Sequence, residues 1–280
     1  MEKRNSIIHV ILTGGVASRL WPLSRKSQPK QYLEIFENKS LFEMTVDRNS
    51  HLADKVMVVG NVDNHHLSGK VMDKTKTAYV NIVEATPRNT AAAIAFAAFA
   101  SNPDDILIIT PSDHIIDKMD DYNNAIQEAV LKAQDGFIVT FGIIPTKPET
   151  GYGYIESKGD KVISFREKPN ETTAKEFIAR GNFLWNSGMF CFKAGVLLDE
   201  LKQFQPDVYE KSKAVWEAHK EGFLDLALSL EIPSISIDYA VMERSKKIKV
   251  VPAAFSWSDL GSFESVYEYL ITKGHPVDKN

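Results

Sequence analysis

Four short apolar runs, at residues 55–59, 79–83, 106–109 and 137–141, recur along this chain with helical patterns between them, and none carries a charge in its interior. Runs of that kind suit strands buried on both faces of a sheet. Strands that alternate with helices need crossover connections, so the chain is expected to wind a right-handed, mostly parallel, doubly wound α/β sheet. Ser40-Leu41-Phe42-Glu43 has the spacing of a capping box and opens one helix; an alanine-rich helix begins at Thr90, and residues 122–133 carry apolar side chains at helical spacing. After about residue 145 the rhythm changes. Two extended runs, 151–157 and 162–165, flank Lys158-Gly159-Asp160 and predict an antiparallel hairpin. With no Pro/Ser-rich linker, internal repeat or low-complexity tract to break it, the sequence 1–280 reads as one domain in which about 145–190 forms a smaller antiparallel lobe on a mixed sheet.

The bulk composition excludes more than it selects. With 44% hydrophobic and 25% charged residues and a net charge of −4, the chain is not a nucleic-acid binder that works by overall positive charge. The longest apolar run, 91–100, is ten residues and mostly alanine, about half of what a bilayer span requires, and the N-terminus lacks a signal-peptide pattern. A cytoplasmic protein with neither nucleic-acid nor membrane partners is expected. Cys191 is the single cysteine, set between Phe190 and Phe192; it predicts a small buried hydrophobe and no intrachain disulfide. The seven histidines show no ligand spacing, and no catalytic part is expected of them. Oligomeric state leaves no signature here, and a homodimer is compatible with the sequence.

The first strand, 7–12, ends in Thr13-Gly14-Gly15, where the backbone can turn tightly and approach a ligand. From Gly14 to Lys30 the chain carries Arg19, Arg25, Lys26 and Lys30 and no acidic residue, a local positive field that draws polyanions. This is neither a Walker A loop nor a dinucleotide fingerprint, since both glycine spacings are absent.

In an open α/β sheet, ligands sit beyond the carboxyl ends of the strands. Asp113 follows the strand 106–109 directly and therefore shares a crevice with the Gly14-Gly15 loop. A carboxylate beside a polyphosphate is repulsive without a cation between them, so Asp113 is a candidate Mg²⁺ ligand and Asp259 the best candidate for a second. Taken alone, Asp113 equally suits a helix N-cap and Asp259 a turn.

The order Leu-Thr-Gly-Gly, Ser-Arg-Leu-Trp-Pro-Leu-Ser-Arg and Pro-Lys-Gln resembles the signature of sugar-nucleotide pyrophosphorylases, most closely mannose-1-phosphate guanylyltransferases. Further segments follow in the same order: Glu84 to Thr90, Pro-Ser-Asp-His at 111–114, Phe-Arg-Glu-Lys-Pro at 165–169, Trp-Asn-Ser-Gly-Met-Phe at 185–190 and Trp-Ser-Asp-Leu-Gly at 257–261. The resemblance implies a Rossmann-like nucleotide-diphospho-sugar transferase fold and transfer of a guanylyl group from GTP to mannose 1-phosphate, yielding GDP-mannose and pyrophosphate with Mg²⁺ as cofactor. It implies a nucleotide side formed by Leu12, Thr13, Gly14, Gly15, Arg19 and Lys30 together with Glu84, Asn89, Thr90 and Ser112. Of these, Arg19 and Lys30 would act with Asp113 in catalysis, and Glu84 can accept from the guanine edge. On the sugar-phosphate side it implies Gly153, Glu167 and Lys168, then Asn186, Ser187 and Gly188, then Asp238. Asp113 and Asp259 take the metal.

Two alternatives stand beside this reading: another sugar 1-phosphate as acceptor, or a silent regulatory homologue. The family usually has glycine where Ala17 stands, which stiffens the loop and is the one hint of silence. Because the chain ends soon after Asp259, no C-terminal cupin or β-helix domain and no isomerase activity are expected.

Overall fold

The structure, a computed structural model, describes residues 5–14, 20, 24–25, 27–34 and 38–274. Gly15, Ala17 and Arg19, to which the sequence assigned the heart of the basic loop, lie outside the described residues.

The first half alternates as the charge-free runs predict. Strand β1 (Ile7–Leu12) is followed by α1 (Leu41–Asn49), β2 (Lys55–Asn61), α2 (His65–Thr75), β3 (Tyr79–Glu84), α3 (Asn89–Phe99) and β4 (Ile106–Pro111). After the short β5 (Ile115–Asp117) come α4 (Met119–Gln134) and β6 (Ile138–Ile143). The hairpin forms as β7 (Tyr154–Lys158) and β8 (Lys161–Arg166), and α5 (Glu171–Arg180) leads to the long β9 (Phe183–Lys193). The chain then runs through α6 (Ala194–Phe204), α7 (Pro206–Glu217), α8 (Leu226–Leu230), a π-turn at Asp238–Met242, β10 (Ile248–Pro252), β11 (Ser256–Ser258) and α9 (Phe263–Thr272).

Among the described residues, nine strands join in the order β3-β2-β1-β4-β9-β6-β10-β8-β7. β1 pairs in parallel with β2 and β4, and β2 with β3, so the carboxyl ends of these four strands share one edge. β9 runs against this set inside the sheet, antiparallel to both β4 and β6, and β8 runs against it further out, antiparallel to β10. β9 also pairs with β7, so the predicted hairpin continues the main sheet instead of forming a separate one. Expected as a mixed α/β sheet with an antiparallel lobe, the architecture is found.

Alternation along each buried strand feeds two faces. Ile8 and Val10 of β1 pack with Ala91–Ala98 of α3 and with Leu197 and Val208 from α6 and α7. Ile11 points the other way, toward Phe42, Val46 and Met72 of α1 and α2, while Ile108, Val139 and Cys191 pack against Tyr122 and Ala129 of α4. Alanine throughout α3 lets that helix sit close to the sheet, and all eight residues from 91 to 98 are buried. Cys191 is wholly buried, which pushes its thiol pKa up. The capping box at Ser40 is half made: its hydroxyl accepts from the Glu43 N–H at 3.1 Å, but the Glu43 carboxylate turns to Lys74 at 2.8 Å.

At Gly142 of β6 the register against β9 shifts, because Thr140 faces Phe190 and Gly142 faces Asn186. Two residues of β6 thus span four of β9, and the excess bulges outward at Gly188, whose φ of 71° suits glycine. A Cβ on Gly142 would lie 2.5 Å from Leu184 Cδ1 and 2.9 Å from Val250 Cγ2. Gly142→Ala is therefore expected to destabilise the fold by about 1–3 kcal/mol through overpacking, read as a lower midpoint in urea unfolding. An unchanged midpoint would mean that the strands at this bulge relax freely.

Candidate active site

The shared carboxyl edge of β1 and β4 and the N-terminal half of β9 enclose a cleft of about 280 Å³. Its lining includes Leu12, Gly14, Thr90, Asp113 and Asp259 together with Gly153, Glu167, Lys168, Asn186, Ser187, Gly188 and Asp238. Twelve residues singled out in the sequence are thus brought together from segments as far apart as Leu12 and Asp259.

Five others do not line this cleft. Thr13 is fully buried beneath it, its carbonyl held by Gln31 and Asn64 side-chain amides at 3.0 Å each. Ser112 is buried behind Asp113, its N–H bound to the Leu12 carbonyl at 3.1 Å. Asn89 lines a neighbouring cavity together with Thr90, Glu167, Lys168 and Asp238. Glu84 lies at the end of β3, and Lys30 sits in a buried turn, Lys30–Tyr32.

Lys30 departs most from its expected setting. Read as part of an open field of positive charge, it has a side chain only 4% exposed, and its ammonium pairs with Asp113 Oδ2 at 2.8 Å. The same ammonium donates to the backbone carbonyls of Asp259 and Leu260, which ties the segment after β11 to the strand ends. Burial opposes the Asp113 charge, but Lys30 and His114 more than offset it and hold the carboxyl below its usual range. Asp113 is therefore an anion at neutral pH.

Asp259 is fixed differently. Its Oδ1 accepts from the Tyr152 hydroxyl at 2.7 Å and from the Gly261 N–H at 3.0 Å, an Asx-type turn that also presents the side chain to the cleft. The small sheet of β5 and β11 delivers this segment, with Trp257 opposite Ile116. Sequence reasoning passed over Tyr152, His114 and Trp257, although all three line the cleft. Trp257 lay inside a quoted motif, yet nothing local says which way its indole points.

In the cleft, the Asn186 side chain is held at both of its polar atoms. The backbone N–H of Asn186 donates to the Gly153 carbonyl at 2.8 Å, and its Oδ1 accepts from Thr140 Oγ1 at 3.0 Å and from the Gly188 N–H at 3.2 Å. With Oδ1 so engaged, Nδ2 donates to Asp238 Oδ1 at 3.0 Å. Burial, and next the nearby Glu167 carboxylate, raise the Asp238 pKa to about 6. Glu167 pairs with Lys168 at 3.0 Å, and Lys168 holds a positive φ of 45°. Gly153 is a close approach: a Cβ there would stand 2.5 Å from Glu167 Oε2.

Glu84 is 4% exposed with Oε1 unpaired, and burial raises its pKa to about 8 although the Arg88 backbone N–H partly opposes the shift. The folded state thus holds the Glu84 proton more tightly than the unfolded chain, whose ordinary value is 4.5. Stability from this group is present below that value and is lost as pH rises toward about 8. Relative to Glu84→Gln, the wild type should lose stability across this window with a limiting slope of about 1.4 kcal/mol per pH unit. Urea unfolding of both proteins at pH 5 and 8 measures it, and a pH-independent difference would contradict the buried-proton assignment.

Comparison with known proteins agrees with this geometry. The model of the nucleotidyl transferase family matches residues 8–272. The chain belongs to that family. It is 39% identical over 279 residues to the alginate biosynthesis protein AlgA of Pseudomonas putida, covering 94% of this chain and 58% of that protein. Mannose-1-phosphate guanylyltransferase 2 of Escherichia coli O157:H7 is 39% identical over 287 residues, covering 94% and 59%. The chain therefore spans less than two thirds of the length of these relatives. Among solved structures, mannose-6-phosphate isomerase from Helicobacter pylori superposes with a TM-score of 0.83 at 38% identity, covering 90% of this chain and 99% of that one.

Proposed function

We propose that this protein is a mannose-1-phosphate guanylyltransferase: it transfers the guanylyl group of GTP to mannose 1-phosphate and releases pyrophosphate. The observation that carries the reading is one cleft that gathers the Gly14 backbone, Asp113 and Asp259 together with Asn186, Glu167, Asp238 and Lys168. A relative 39% identical that bears this activity in its name supports the choice of substrates.

In this reaction an oxygen of the sugar 1-phosphate attacks the α-phosphorus of GTP, a new P–O bond forms, and the bond from the α-phosphorus to the bridging oxygen breaks, its electron pair leaving with pyrophosphate. The nucleophile is already ionised near neutral pH, so no general base is needed; alignment and charge neutralisation remain. Lys168 is exposed beside Glu167 and suits the sugar phosphate, while Asn186 and Glu167 suit hydroxyls. Thr90 stands at the start of α3, where N–H groups and the helix dipole favour an anion. Lys30, and Arg19 from the loop beyond Gly14, would oppose the triphosphate charge.

The donor set fits Mg²⁺. Asp113 and Asp259 both reach the cleft, and Asp113, which is half-buried, is ionised. Among the described residues no group of three or more His, Cys, Asp or Glu converges, and substrate phosphates and water would supply the ligands beyond these two carboxylates. When bound, the ion would neutralise charge that develops on the phosphates. No helix among the described residues is long and apolar enough to cross a membrane. A cytoplasmic location belongs to this reading. A homodimer and a single domain spanning the sequence remain part of this reading.

Pyrophosphate release measured over four nucleoside triphosphates and several sugar 1-phosphates tests it. GTP with mannose 1-phosphate should give the highest kcat/KM. Mannose 6-phosphate alone, included because a structural relative carries the isomerase name, should remain unconverted. Preference for another pair, or no release with any, would overturn the assignment. Lys168→Ala should raise KM for the sugar 1-phosphate about tenfold or more and leave KM for GTP within a few-fold, because a charge-assisted hydrogen bond contributes roughly 1.5–3 kcal/mol. Equal losses for both substrates would remove Lys168 from the sugar side.

A further inference from the structure

His114 had no part in the sequence reading, yet it stands between two groups that fix its protonation pattern. The Trp257 indole Nε1 donates to His114 Nδ1 at 3.2 Å, with the rings edge to face and their centroids 5.3 Å apart. An indole N–H can only donate, so Nδ1 must present its lone pair and the ring proton must sit on Nε2. Nε2 is the nitrogen that faces Asp113 Oδ1, at 3.8 Å, on the side of that carboxylate opposite its Lys30 contact at Oδ2. In the other tautomer a lone pair would face the carboxylate and repel it.

We propose that Trp257 and His114 are positioning residues that aim Asp113: the indole locks the imidazole tautomer, and the Nε2–H, directed at Oδ1 from 3.8 Å, biases the orientation of the carboxylate electrostatically rather than through a hydrogen bond. The same aromatic group reaches the second carboxylate. The Tyr152 ring packs edge to face on Trp257, with centroids 5.2 Å apart, and its hydroxyl donates to Asp259 Oδ1 at 2.7 Å. One packed set of rings therefore orients both carboxylates. This is the outer-shell arrangement that tunes metal ligands elsewhere. The inference rests on the proposed metal role of Asp113, but the tautomer itself does not.

Long-range proton–nitrogen spectra of histidine-labelled protein read the tautomer directly. Wild type should show His114 protonated at Nε2, and Trp257→Phe, which keeps the ring packing, should show a mixture. Mn²⁺ binding in the presence of GTP, followed by electron paramagnetic resonance, should weaken about tenfold in Trp257→Phe and His114→Ala. His114→Gln, whose amide can place a donor near the Nε2 position, should recover most of the loss. A purely structural role would instead lower the melting temperature without rescue by glutamine.

An Nδ1-protonated His114, or wild-type Mn²⁺ affinity in His114→Ala, overturns the proposal. If wild type itself binds no Mn²⁺ with GTP, the metal role of Asp113 falls while the spectra still decide the lock. Should Trp257→Phe fail to fold, the wild-type spectrum and the two His114 variants carry the decision.

Discussion

The site depends on one strand that runs the wrong way. β9 lies between β4 and β6 and opposes both, so its N-terminal half arrives at the same edge where the parallel strands end. Had β9 been parallel, Asn186 to Gly188 would lie at the far edge, and a crossover would be needed to bring them near Gly14. The register shift at Gly142 adds to this. It lets β9 bulge at Gly188 toward the cleft while the hydrogen bonds resume on either side. β7 then pairs with the start of β9, which anchors the Gly153 backbone against Asn186. This part of the cleft is thus built from the sheet itself, and its precision comes from ladder hydrogen bonds rather than from a loop.

The part that holds Asp113 and Asp259 is organised by the Lys30 ammonium. Burying a lysine is unfavourable unless a partner compensates, and here a carboxylate and two backbone carbonyls do so. Because those partners come from the end of β4 and from the segment after β11, the lysine also fixes where the Asp259 turn rests. In the proposed reaction a triphosphate would compete with Asp113 for this ammonium. A cation that takes over the Asp113 charge makes the exchange easier, since neither partner is then left buried and uncompensated.

Much of this was legible in the sequence, for identifiable reasons. Charge-free runs revealed β2, β4 and β6, because burial on both faces forbids charge; β3 was found by the same pattern although it is an edge strand with Val80 43% exposed. Lys158-Gly159-Asp160 revealed the hairpin, because Gly159 supplies the positive φ of 62° that the turn requires. The direction of β9 was not legible: an apolar run has no polarity, and orientation is decided by which neighbours it meets. The setting of Lys30 was not legible because its charge is visible locally, while its burial and partners come from Asp113 and, 229 and 230 positions away, from Asp259 and Leu260. His114 and Trp257 were opaque for the same reason, as side-chain contacts 143 residues apart leave no spacing to read.

The acidic residues around the cleft show how one edge can hold several carboxylates without mutual repulsion. Each meets a different environment. Asp113 stays charged because a buried ammonium faces it; Asp238, buried beside Glu167, titrates at about 6; Glu84, with no cation, titrates at about 8. At neutral pH the negative charge is therefore concentrated where a cation would bind and is mostly removed from the end of β3. A protonated Glu84 can both donate and accept a hydrogen bond, whereas an ionised one can only accept. Ionising Glu84 in its buried setting outside the cleft would leave a charge that no described cation compensates, so this group keeps its proton at neutral pH while Asp113, faced by a buried ammonium, does not.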